Sequence, residues 1–270
     1  MPLVANMRMY GVNAEVTSYW MEFAQWVSKK SGVDLEIIEH PAPAPIDDLW
    51  SRPDMGLVQM CGWPFWRRSP RPHIIAAPVM DHDFAEDIPV YWSEFVTRAD
   101  APMDKLEDSF GGKIAWTIEN SHSGCNAPRH TLLPHFLSTG GPLYSKSIGP
   151  VITPRGSIEA VLSGQADIAP VDSYYHLLMQ RYEPTIVAKL KTVARTEKSP
   201  IPLLVAANCL DTPTVGKLRN AVTQAHENVF VNSILKKLAI RKFVVPEIES
   251  YSLAEMWHVE AIKHGYPLPS

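Results

Sequence analysis

Cysteine is scarce. Cys61, Cys125 and Cys209 are the three in 270 residues, and no Cys-x-x-Cys pair occurs. That spacing excludes a zinc ribbon and a thioredoxin-type redox motif. The odd count leaves at least one thiol outside any disulfide. Three thiols suit a reducing compartment, whereas one bridge plus one thiol suits an oxidising one. Long apolar runs are missing too. No stretch approaches the ~18 apolar residues that a membrane-spanning helix needs, and the apolar segment Ile201–Leu210 is short and holds Pro202. Positive charge is not in excess: 25 Lys and Arg against 29 Asp and Glu give a net charge of −4. A nucleic-acid partner is therefore not expected.

Several chemical signatures are likewise missing. There is no G-x-G-x-x-G and no H-E-x-x-H. Gly111-Gly112-Lys113-Ile114 and Gly216-Lys217-Leu218 lack the hydroxyl residue of a phosphate-binding P-loop. Ser121-His122-Ser123-Gly124 has Ser where a nucleophile elbow needs Gly. Asp81-His82-Asp83 has the atoms of a metal site but no further spaced ligands, so it reads as a solvated loop. No cofactor and no metal are expected. The opening residues Met1–Arg8 have no basic stretch leading into a long apolar one, which suits a cytosolic chain or a mature form without its signal.

What is present is an α/β pattern. Hydrophobic residues make up 46%, enough for a sizeable core. Proline is 24 of 270, about 9% against a usual ~5%, so elements should be short. Strands are expected at 4–10, 33–38, 55–60, 74–77, 90–98, 113–118, 166–171 and 201–207. Helices are expected at 15–28, 46–50, 126–137, from Thr153-Pro154 to Gly164, and at 213–230 and 252–264. In the first of these, Val16, Tyr19, Trp20, Phe23, Trp26 and Val27 recur at three- and four-residue steps, and Gly32 ends it. Strands alternating with helices give the α/β class. The two long strands 90–98 and 201–207 suggest two lobes joined by two crossings. Lobe 1 would be residues 1–91 plus 203–270, and lobe 2 residues 92–202.

Asn120-Ser121-His122-Ser123-Gly124 falls between a strand and a helix. Such a turn offers backbone N–H groups without intrahelical acceptors, two hydroxyls and the positive end of a helix dipole. It reads either as a site for a compact oxyanion or as an ordinary helix start capped by Ser123. Asp172 closes a strand at the end where open α/β sheets bind ligands. It either faces a ligand or caps the next helix. Tyr10, Cys61 and Trp63 also follow strand ends, and line a cleft or belong to the core. His122 would offer an N–H to an anion, with a charge that follows pH near its usual ~6.5. A Ser–His catalytic pair within the loop is not expected, because adjacent side chains rarely face each other.

An ordered set of segments resembles a family. It comprises Tyr91-Trp92-Ser93, Arg98-Ala-Asp100-Ala-Pro102, Leu106-Glu-Asp108, Gly112-Lys113, the 120–124 loop with Pro128, Ala160–Asp167 followed by Asp172, and Pro200-Ile201-Pro202. Over residues 55–210 these are similar to the phosphonate/phosphate-type periplasmic solute-binding proteins of ABC transporters. The resemblance implies a type 2 periplasmic-binding-protein fold, with two α/β lobes, two hinge-crossing strands and a ligand in the cleft. It implies a monomeric binder that hands a small anionic ligand to an ABC transporter permease, in the periplasm where a signal precedes it and otherwise in the cytoplasm. Ser121, His122 and Ser123 would meet the oxyanion, with Asp172 near the ligand's other end and Tyr91 beside them. Cys61 stands where the phosphonate binders have a Tyr, and His122 where they have a Thr. Their cleft His aligns with Pro154, so that Arg155 would supply the charge. Two other functions fit the same fold. One is a cytosolic enzyme resembling the menaquinone-pathway chorismate dehydratase-type proteins, with His122 or Asp172 as base. The other is a ligand sensor.

Overall fold

The first helix shows how local sequence builds this chain. Asn13 caps it by accepting the Val16 N–H at 2.9 Å, and Gly32 ends it in the left-handed region at φ 66°. Between them Val16, Trp20, Phe23, Ala24 and Val27 are buried on one face. The same rules recur along residues 2–270, which are the residues the computed structural model describes. The strands are β1 (Leu3–Asn6), β2 (Leu35–Ile37), β3 (Met55–Met60), β4 (His73–Met80), β5 (Val90–Tyr91), β6 (Ser93–Arg98) and β7 (Lys113–Ala115). They continue with β8 (Lys146–Ile148), β9 (Ala169–Asp172), β10 (Leu190–Arg195), β11 (Ser199–Pro200), β12 (Leu203–Ala206) and β13 (Ile240–Val244). The helices are α1 (Ala14–Ser31), α2 (Ile46–Trp50), α3 (Gly62–Arg67), α4 (Ala127–Thr139), α5 (Pro154–Leu162), α6 (Ser173–Tyr182), α7 (Pro184–Val187), α8 (Thr212–Thr223), α9 (Val229–Lys237) and α10 (Ser252–Lys263).

The chain divides into two units, Met1–Val90 with Pro200–Tyr251, and Tyr91–Ser199 with Ser252–Ser270. The first unit is a six-stranded mixed sheet in the order β13-β4-β12-β3-β1-β2. β1 runs parallel to β2 and β3, while β12 is antiparallel to β3 and β4. Every residue of β3 is buried, as expected for a central strand covered on both faces. α1 packs on α8 and α9, and Phe23 stacks on Phe243 of β13 at 5.2 Å. Because β1 and β3 are parallel neighbours, their carboxyl ends lie side by side. One leads into the 3-10 turn Arg8–Tyr10, the other into Cys61 and α3, and Gln59 Oε1 ties them by accepting the Met9 N–H at 3.1 Å.

The second unit is built on the antiparallel sheet β10-β6-β9 and the parallel pair β7-β8. A parallel bridge from Ile114 to Ile168 brings the carboxyl ends of β7 and β9 to one edge. Its core gathers Phe95, Ile114, Leu132, Leu133 and Ile168 with Ala261 and Tyr266 from the C-terminal segment.

Two expectations are corrected. Residues 201–207 are not a crossing, because β12 is an interior strand of the first unit's sheet. The C-terminal segment from Ser252, expected in lobe 1, belongs to the second unit. Tyr266 stacks on Phe136 at 4.3 Å, and the Leu143 N–H donates to the Ser270 carbonyl at 2.9 Å. Its apolar residues complete a core that sequence periodicity could not assign to one sheet or the other. Tyr266→Ala should therefore cost about 3–5 kcal/mol, as for other buried aromatics. Native-state hydrogen exchange should show the loss in β7, β8 and α4. Equal loss of protection in β1 and β3 would contradict the assignment.

Candidate functional site

The 120–124 loop is shaped by a close approach and a missing donor. At Gly124 a Cβ would lie 1.9 Å from the Thr117 hydroxyl, so no larger residue fits. Pro128 has no N–H to return to the Gly124 carbonyl, which accepts instead from the Thr117 N–H at 3.3 Å. The helix continues backwards past Pro128 as a wide π turn over His122–Asn126, in which the Asn126 N–H reaches the Ser121 carbonyl at 3.1 Å. The helical run thus begins at residue 122, not near Asn126 as the periodicity predicts. Ser121, rather than Ser123, is the cap, and its Oγ accepts the Gly124 N–H at 3.0 Å.

Asp172 caps the next helix, one of the two roles its position at the end of β9 allowed, and also holds the 120–124 loop. Oδ1 caps α6, accepting the Tyr174 and Tyr175 N–H groups at 2.9 and 3.0 Å. Oδ2 accepts the Ser123 hydroxyl at 3.2 Å. Ser93, which pairs with Asp172 in the β6–β9 register, donates its hydroxyl to the Ser123 carbonyl at 2.7 Å. Ser123 and Asp172 are both buried. The Ser123 hydroxyl thus donates to a carboxylate.

His122 is buried, and its ring stacks on Trp257 of α10 at 5.3 Å with Tyr91 at 6.2 Å. Burial pushes its pKa down to about 3, with the nearby His130 and Arg129 adding to the shift. The expectation of a charge that follows pH near 6.5 is corrected: the imidazole is neutral. Asn126 Nδ2 lies 3.1 Å from Nδ1, which therefore accepts, and the proton is on Nε2. Arg155 in α5 is occupied elsewhere, its guanidinium 2.7 Å from Glu183 and hydrogen-bonded to Tyr175.

Ser121, His122, Ser123, Asp172 and Tyr91 thus come together in the second unit. Tyr10, Cys61 and Trp63 are buried in the first, at the adjoining ends of β1 and β3, with the Arg67 guanidinium 5.4 Å from the Trp63 ring centroid. Cys61 and Cys125 are buried and Cys209 is exposed, with no disulfide among the described residues. Asp81 and Asp83 both pair with Arg241, at 3.0 and 3.3 Å. No helix is long and apolar enough to cross a membrane among the described residues.

Sequence reasoning missed a second cluster. Glu94 Oε2 accepts from His176 Nδ1 at 2.5 Å and from the Thr192 hydroxyl at 3.3 Å; Oε1 accepts from Arg195 Nε at 3.0 Å and Trp92 Nε1 at 3.2 Å. Burial raises the Glu94 pKa, but His176, Trp92 and Arg195 outweigh it and bring it down to about 2. The available signal was a carboxylate inside the apolar run Ser93–Val96.

A family model described as the periplasmic substrate-binding protein of phosphonate ABC transporters matches residues 12–251. The chain belongs to this family. It is a substrate-binding component of an ABC transporter, with a small ligand and a membrane transporter as partners, and the family is one of transport proteins rather than enzymes. The enzyme reading is set aside accordingly. Among solved structures, a Pseudomonas aeruginosa binding protein component of an ABC phosphonate transporter is similar at 18% identity, TM-score 0.81, covering 98% of this chain and 88% of that one. PhnD1 from Prochlorococcus marinus, in complex with methylphosphonate, is similar at 17% identity, TM-score 0.77, covering 97% and 98%. A Xanthomonas citri protein bound to ATP is similar at 16% identity, TM-score 0.66, covering 97% of each. No functionally curated protein matches. At these identities the structural likenesses establish the two-lobed periplasmic-binding-protein fold.

In this phosphonate-binding-family protein His122 and Glu94 each bind fewer protons folded than unfolded. His122's contribution to stability is complete above about pH 6.5 and is lost as pH falls towards 3. That of Glu94 is complete above about pH 4.5 and is lost towards 2. Urea unfolding across pH should show a flatter profile between 6.5 and 4.5 for His122→Gln. For Glu94→Gln the slope there should persist and the fall below 4.5 should shrink. Unchanged profiles in both variants would contradict the two buried assignments.

Proposed function

We propose that the start of the helical run at 121–123 captures a small phosphonate-like oxyanion for delivery to the importer's permease. The observation that supports this most strongly is the charge behind the loop. Arg129, one turn into α4, is buried, and its guanidinium donates to the Pro267 carbonyl, the Asn126 amide oxygen and His258 Nδ1, all neutral acceptors. A buried cation hydrogen-bonded only to neutral acceptors adds positive potential behind the loop, set against the negative charge that Asp172 brings to Ser123. The first N–H groups of the helix and its dipole add to that potential. His122 contributes Nε2–H as an uncharged donor. Asp172 and Tyr91 take the non-oxyanion end of the ligand, with Asp172 complementing a cationic or hydroxyl group. Ser121 and Ser123 act mainly as the frame of the turn. Arg155 is left out of the site, because Glu183 already matches its charge. Tyr10, Cys61 and Trp63 remain a separate candidate set, at the adjoining strand ends of the first unit. The protein works as a monomer on the periplasmic side of the membrane.

Calorimetry and thermal shift with methylphosphonate, inorganic phosphate, sulfate and acetate test this reading. A phosphonate or phosphate at 100 times its dissociation constant should stabilise the fold by about 2.7 kcal/mol and be recovered unchanged. Loss of one charge-assisted hydrogen bond in His122→Ala should weaken binding roughly 10- to 150-fold. An oxyanion bound with unaltered affinity by His122→Ala, or a ligand chemically converted, would reject it.

A further inference from the structure

Burial keeps His122 neutral, and a particular neighbour sets which of its nitrogens carries the proton. Asn126 is fully buried, one turn along the same helix. Its Oδ1 accepts from Arg129 Nη2 at 2.7 Å, and its Nδ2 donates to the Ala254 carbonyl at 2.7 Å. The amide has no second orientation. Turned over, it would set an oxygen against the Ala254 carbonyl and an NH2 group against the guanidinium. The edge of Asn126 that faces His122 Nδ1 is therefore always a donor. Trp257 fixes the plane of the imidazole, and His130 stacks in turn on Trp257 at 4.5 Å.

We infer that Asn126 is the positioning residue of the oxyanion loop, holding the proton of His122 on Nε2 so that the loop offers an uncharged N–H in one direction. This rests on the binding reading above and extends it to selectivity. A site whose donor neither gains nor loses charge responds to the charge state of the ligand alone. The groups facing His122 agree with this. Tyr91 comes from β5 and Arg129 and His130 from its own helix, and against these last two stand His258 and Glu260 of α10. Of these, Glu260 is directed to His130, 3.4 Å from its Nδ1, and His258 accepts from Arg129. Arg129 and His130 both disfavour an imidazolium at 122. The loop residue that stands where the resembled family has a Thr thus keeps the chemistry of a neutral donor, moved out to the reach of an imidazole.

The test reads the imidazole directly. In uniformly 15N-labelled protein, with the signals assigned through His122→Gln, long-range 1H–15N spectra separate the two neutral tautomers from the imidazolium. His122 should appear as the Nε2–H tautomer, unchanged between about pH 5 and pH 8. In Asn126→Asp the carboxylate should draw a proton to Nδ1, and methylphosphonate binding should weaken about tenfold or more at neutral pH. Sulfate, which does not titrate in this range, should bind the unsubstituted protein equally at both ends of it. A titration of His122 near its ordinary value, or an Nδ1–H tautomer, would overturn the inference even if Asn126→Asp fails to fold, because both are read in the unsubstituted protein. A folded Asn126→Asp that leaves the tautomer unchanged would overturn it too. If the tautomer is as stated and no oxyanion binds, the binding reading fails and the positioning by Asn126 stands. If phosphonate binds while His122 titrates, the reverse holds.

Discussion

The hydrogen bond from the Ser123 hydroxyl to Asp172 holds the second unit's site together. One carboxylate caps α6 with one oxygen and takes the loop hydroxyl with the other. Ser93 closes the arrangement by binding the Ser123 carbonyl from β6. Three elements far apart in sequence therefore meet at one buried point. A buried carboxylate is tolerated there because its charge is spread over two helical N–H groups and a hydroxyl. Without it, the N-terminus of α6 and the turn at 121–124 would each lose an anchor.

Two of the buried charged centres of this unit, Glu94 and Arg129, are arranged in opposite ways. Glu94 is surrounded by donors, with His176, Arg195, Trp92 and Thr192 all within hydrogen-bond reach, so it stays ionised and acts as a structural cross-link between β6, β10 and α6. Arg129 is surrounded by neutral acceptors, so its positive charge is solvated but not cancelled. The first arrangement suits a joint; the second suits a binding component whose ligand brings the missing negative charge. Both are products of packing, since His176, Arg195, Pro267 and His258 lie tens of residues from the groups they serve.

Much of the architecture was legible in the chain. Asn13 and Gly32 bracket α1, Thr153-Pro154 starts α5, and Met55–Met60 and Ile46–Trp50 appear where their patterns place them. These are local matters of caps, fixed proline φ and periodicity. The loop at 120–124 was legible as a strand-to-helix turn, and its glycine as a necessity once Thr117 is known to press against it. The length of the helix was not, because Pro128 argues for a helix start and only a π turn reconciles it with a helical residue 122.

The sequence by itself determined the fold class, the family, and which residues stand at the carboxyl ends of the strands. Short-range rules and an ordered set of motifs are enough for that. The tertiary structure alone decided which unit receives the C-terminal segment, that the Ser123 proton points at Asp172, and that His122 is neutral with its proton on Nε2. Those outcomes depend on Asn126, Ala254, Trp257 and Tyr266 arriving beside the loop. The physical reason is that burial and hydrogen-bond direction set a proton's place, and both are properties of neighbours that contact across the fold rather than along the chain.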